Sequence, residues 1–70
     1  MNYKYEILVY WSNDDESYIA EVPELLGCMA DGNTYQEAIT NAEIVIGEWL
    51  DTANSLGREI PKAKGRLLYA

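Results

Sequence analysis

The chain has 70 residues, with 12 Asp and Glu against 5 Lys and Arg and no His, for a formal net charge of −7 at pH 7. That length fits one small domain, and 49% hydrophobic residues is the content of a folded protein, not of a disordered acidic tail. Without His there is no Ser-His or Cys-His nucleophile pair and no imidazole ligand, and a single Cys excludes an intrachain disulfide and a Cys-rich zinc site.

Tyr3–Trp11 reads as a first strand, because Tyr3, Tyr5, Ile7, Val9 and Trp11 share one face at period two. Lys4, Glu6, Leu8 and Tyr10 take the other face. Ser12-Asn13-Asp14-Asp15-Glu16 is a polar loop of residues that bond their own backbone in turns. Ser17–Val22 is a second strand, with Tyr18, Ala20 and Val22 alternating against Ser17, Ile19 and Glu21.

Pro23 has no N–H for a ladder, so the second strand should stop there. A turn follows through Gly27, then a short third strand over Cys28-Met29-Ala30 and a second turn at Asp31-Gly32-Asn33, where Gly32 can take positive φ. Thr34-Tyr35-Gln36-Glu37 is a capping box, in which the Thr hydroxyl accepts the N–H three residues on and Glu37 returns to the Thr34 N–H. The helix it opens carries a stripe of Ala38, Ala42, Val45, Trp49, Ala53 and Leu56, widened by Ile39 and Ile46. Gly57 is a natural left-handed stop. Arg66–Ala70 is a candidate fourth strand. The order β-β-β-α-β is an α+β fold, a small antiparallel sheet with one helix on one face.

One helix covers one sheet face. Leu8, Tyr10 and Ile19 belong to the other face and are too apolar to sit together in water, so they are the expected oligomer face of a dimer or tetramer. Cys28 reads as a small buried hydrophobe, and Trp11 and Trp49 as core residues on the apolar faces of their elements. Pro23, Gly27, Gly32, Thr34 and Glu37 all have structural roles as strand stop, turn, turn, N-cap and capping box.

The charge is unevenly spread. Residues 1–57 hold Lys4 against eleven acids, a net of −10, whereas residues 58–70 hold four cations against Glu59, a net of +3. An acidic body repels nucleic acid and suits a basic protein partner, with plain solubility as the competing explanation. Asp14, Asp15, Glu16, Glu21, Glu24 and Asp31 are the candidate partner-binding acids. No carboxylates converge from adjacent strands and the helix as metal-assisted hydrolysis requires, so no enzyme, metal site or cofactor is expected. The sequence opens on no basic-then-apolar leader and has no apolar run of membrane-spanning length, so a cytoplasmic setting is expected.

The run from Tyr18 to Ala38 carries Pro-acid-Leu-x-Gly-Cys at Pro23–Cys28, then Gly32-x-Thr34-x-x-Glu37-Ala38, and resembles the HicB antitoxin family. Ile60-Pro61 after Gly57 also fits that pattern. The resemblance covers nearly the whole chain and implies a truncated RNase H-like fold. It also implies a role: HicB proteins bind HicA toxins, small basic mRNA-cleaving RNases, and mask their catalytic surface. Many HicB chains add a DNA-binding domain. Residues 1–70 read as a single HicB-like domain without one, so DNA binding by this chain alone is not expected. The alternative is a stand-alone oligomeric module that binds another protein or a small ligand without a toxin partner.

Overall fold

The structure, a computed structural model, describes residues 4–62. The elements are β1 (Leu8–Ser12), β2 (Ser17–Glu21), β3 (Met29–Gly32) and α1 (Tyr35–Ser55). The strands form one antiparallel sheet in the order β1-β2-β3, with Tyr10 opposite Ile19 and Ile19 opposite Asp31. The α+β reading and the helix position hold. The candidate strand Arg66–Ala70 lies outside the described residues.

Each of the three strands differs in its bounds from the sequence reading, β1 also running one residue further, to Ser12. β1 begins at Leu8, not Tyr3, because its last partner is Glu21, after which β2 turns away through Val22 and Pro23. Tyr5 and Ile7 still pack on the core without joining the ladder. β2 itself ends at Glu21 rather than Val22. β3 runs over Met29–Gly32 rather than Cys28–Ala30, because Cys28 is held in the preceding loop. There Val22 N–H donates to the Cys28 carbonyl (2.9 Å), Leu25 N–H to Val22 (3.0 Å) and Cys28 N–H to Leu25 (2.9 Å). Gly27 takes φ +77°, which closes this loop and turns Leu25 and Cys28 inward.

Gly32 has a different reason from the expected positive φ. It is the buried end of β3, and a Cβ there would stand 2.5 Å from the Ala38 backbone nitrogen. Glycine is therefore what lets the strand meet the first helical turn. Thr34 caps that turn as expected, its Oγ1 accepting from the Glu37 N–H at 3.0 Å. The Glu37 carboxylate, however, reaches the Asn33 N–H (3.1 Å), one residue earlier than the capping-box pattern assigns. At the far end the Gly57 N–H donates to Asn54 and the Arg58 N–H to Ala53, with Gly57 at φ +68°, a Schellman stop.

The helix packs most on β3, less on β2 and least on β1. Near its start, Ala38 and Ala42 lie against Ala20, and three small side chains bring helix and sheet close. Farther along, Ile46 meets Val22, Leu25 and Cys28, with Trp49 and Leu50 at the margin. Leu56 departs from the expected stripe and is 65% exposed. A 21-residue helix is about 30 Å long and outruns strands of four or five residues, about 17 Å, so its last turn has no sheet beneath it. Trp11 also departs from its core assignment, at 48% exposed, because the helix leaves the end of β1 uncovered. Trp49 is half-buried and donates from Nε1 to the Leu26 carbonyl at 3.0 Å.

Candidate protein-interaction surface

Alternation along the strands builds the face away from the helix. Its cross-strand rows are Leu8–Glu21–Met29 and Tyr10–Ile19–Asp31. Leu8, Tyr10 and Met29 are exposed, each between 42% and 47%. Ile19 is only 8% exposed, because it sits on the central strand between Tyr10 and Asp31. Ile19 is therefore the floor of this face, and Met29 supplies exposed surface that the sequence reading missed. The signal for Met29 was the alternation of β3, which needs the register that Gly32 imposes.

Acidic groups border this face. Tyr10 Oη donates to Glu21 Oε1 at 2.9 Å. That hydrogen bond, with some burial and the nearby charges of Glu21 and Asp15, raises the Tyr10 hydroxyl above its ordinary pKa. Asp15 and Asp31 line one shallow concavity of about 420 Å³ with Ile19, Met29 and Ala30. The hairpin tip is ordered by its own side chains: Ser12 Oγ donates to Asp15 Oδ2 (3.0 Å) and accepts from the Asp15 N–H (3.3 Å). Glu16 takes φ +49°, the left-handed residue that closes the turn.

The six candidate acids therefore divide. Asp14, Asp15 and Glu16 at the tip and Asp31 at the end of β3 occupy the same end of the molecule. Glu21 lies on the same face at the other end of β2. Glu24 stands apart, in the β2–β3 loop, where its charge acts on Tyr5. Among the described residues, no group of three or more His, Cys, Asp or Glu is arranged to hold a metal ion. Cys28 is buried, and burial pushes its thiol above the ordinary value.

A small sheet with one covered and one open acidic face is compatible with many binding proteins, and the sequence match decides among them. Residues 5–66 match the family described as HicB-like antitoxin of bacterial toxin-antitoxin systems. This chain belongs to the HicB-like antitoxin family. Two relatives carry the family-level name UPF0150 protein. One, from Synechocystis sp., is 31% identical over 67 residues, covering 96% of this chain and 88% of the relative. The other, from Thermoplasma acidophilum, is 29% identical over 59 residues and 84% of each chain. No solved structure matches the chain significantly. The matched span of this HicB-like chain contains the three described strands, the helix and the six candidate acids. No helix among the described residues is long and apolar enough to cross a membrane.

Proposed function

We propose that the chain neutralises a HicA-type mRNA-cleaving RNase by covering its active surface. One observation supports this reading most: an exposed apolar strip of Leu8, Tyr10 and Met29 bordered by Glu21, Asp31 and Asp15. Apolar centres with a charged rim are the anatomy of protein interfaces, and this rim matches a basic partner. Asp14 and Glu16 extend the acidic rim at the hairpin tip. Glu24 is the least suited of the six by position. On this reading the chain is a non-enzymatic, cytoplasmic binding domain, and its three strands followed by a helix are the first part of a truncated RNase H-like fold.

The test is titration of the full chain with the HicA-type protein encoded beside its gene, read by calorimetry and by mRNA cleavage. Stoichiometric inhibition is expected, with an association rate that falls as salt rises. Replacing Asp15 and Asp31 with Asn should slow association further. Absence of binding at low salt sinks the proposal. Metal-dependent cleavage of RNA by the chain itself, lost in Glu6→Gln, would overturn its non-enzymatic part.

The same strip favours a second reading, self-association through Leu8 and Tyr10 into a dimer or tetramer. The two readings respond oppositely to salt. A second copy brings acid against acid, so self-association tightens when salt screens the rim, whereas a basic partner is released. Light scattering at low and high salt separates them.

A further inference from the structure

At the hairpin-tip end of the molecule three rings form a row on the helix side of the sheet. Trp11 meets Tyr18 edge to face, with ring centroids 5.1 Å apart at 71°. Tyr18 meets Tyr35 at 4.3 Å and 40°. Tyr18 is half-buried, while Trp11 and Tyr35 at the two ends are exposed. The Trp11 ring is pinned, because its Nε1 donates to Asn13 Oδ1 at 2.8 Å. One end of the row is thus oriented before any partner arrives, which lowers the entropy cost of using it.

The charges around the row have one sign. No Lys or Arg occurs between Lys4 and Arg58. Arg58 follows the far end of a helix that starts beside Tyr18, about 30 Å away along the axis. Lys62 follows Pro61, whose carbonyl accepts from Tyr5 Oη at the opposite end of the sheet, and Lys4 precedes that same Tyr5. Meanwhile Asp14, Asp15 and Glu16 sit in the turn between Trp11 and Tyr18. Glu37 is turned onto the Asn33 N–H, where it offsets the positive helix start beside Tyr35. No described cation is near enough to stack on these rings, yet acids flank them.

We propose that Trp11, Tyr18 and Tyr35 form a preorganised platform for an arginine side chain of a basic protein partner. A guanidinium lies flat on an aromatic face and keeps its edge free for carboxylates, here those of Asp14 and Glu16 in the turn between Trp11 and Tyr18, since Asp15 lines the concavity on the open face. A lysine ammonium has no plane to stack. A nucleobase would stack equally well, but its phosphates would meet the tip acids. The inference rests on the antitoxin reading for the class of partner, and it adds which chemical group is held and where.

The probes are a hexa-arginine peptide, a hexa-lysine peptide and a short uridine oligonucleotide. Each is titrated into the isotope-labelled full chain at 0.15 M salt, following indole and backbone amide shifts. Hexa-arginine should move the Trp11 indole and the Tyr35 amide and bind more tightly than hexa-lysine. Trp11→Leu should weaken the arginine peptide about two- to five-fold and abolish its advantage. Tyr35→Leu should act in the same direction, and both sites are exposed, so folding should survive in each. Equal affinity of the two peptides for the natural chain overturns the platform, as does an advantage that persists in both variants. Trp11 shifts produced by the oligonucleotide rather than by hexa-arginine overturn it too. Because no toxin is present, arginine selectivity combined with no toxin binding removes only the antitoxin reading. Toxin binding without arginine selectivity removes only the platform.

Discussion

One face of the sheet carries the helix, and no other described element covers the opposite face. Both faces are built from the same three strands, by alternate residues. On the helix side Ala20, and Val22 just beyond the end of β2, are buried against Ala38, Ala42 and Ile46. On the open side Leu8, Tyr10 and Met29 stay exposed, and Ser17 and Ile19 on the central strand are covered. The contrast separates two tasks. The covered face supplies the burial that holds a small domain together, and the open face is free to be shaped by recognition.

If that division is right, substitutions should sort by face. Ile46→Ala should cost about 3 kcal/mol in urea unfolding, because a fully buried side chain leaves a cavity between helix and loop. Leu8→Ala on the open face should cost about 0.5 kcal/mol or less. Equal losses would break the comparison. Gly32→Val comes next, at about 1–3 kcal/mol, since a side chain there meets the Ala38 backbone rather than a movable group. Thr34→Ala should cost about 1 kcal/mol by freeing the Glu37 N–H, measurable as lost helicity and a lower urea midpoint.

A pH titration sharpens the comparison further. The Cys28 thiol is raised in the fold, above its ordinary 9.0, so between the unfolded and folded pKa values the folded state holds more protons. Stability from this group is therefore complete below about pH 9 and is lost as pH rises through the folded value. Cys28→Ala should make the fall in urea midpoint above pH 9 shallower. Tyr5 and Tyr10, also raised, keep some of the fall at higher pH. An unchanged slope would mean that the thiol is not buried in solution. An effect of the opposite sign is expected at Ser17. Its Oγ is buried with no hydrogen-bond partner, so Ser17→Ala should leave stability unchanged or raise it by up to about 1 kcal/mol.

Much of the fold was legible because its signals are local. The capping Thr34, the stop at Gly57 and the alternation from Leu8 to Trp11 each act within a few residues, and the structure keeps all three. The candidate surface was legible only in part. Composition marked the acids, but it did not show that Glu24 stands away from Asp14, Asp15 and Asp31. The aromatic row joins three elements whose members are far apart in sequence, and no periodicity announces it.

By itself the sequence determined the element types, their order and the sign of the surface, because backbone chemistry, side-chain period and charge are properties of short segments. It also carried the family pattern from Pro23 to Ala38. Tertiary structure alone decided which apolar residues the helix covers. Trp11 and Leu56 share the apolar pattern of their elements, yet both lie beyond the reach of the covered area and remain exposed. Ile19 belongs to the uncovered face and is nevertheless shielded by its cross-strand neighbours. Burial depends on what packs above a residue, and that is set by where a long helix lies against three short strands.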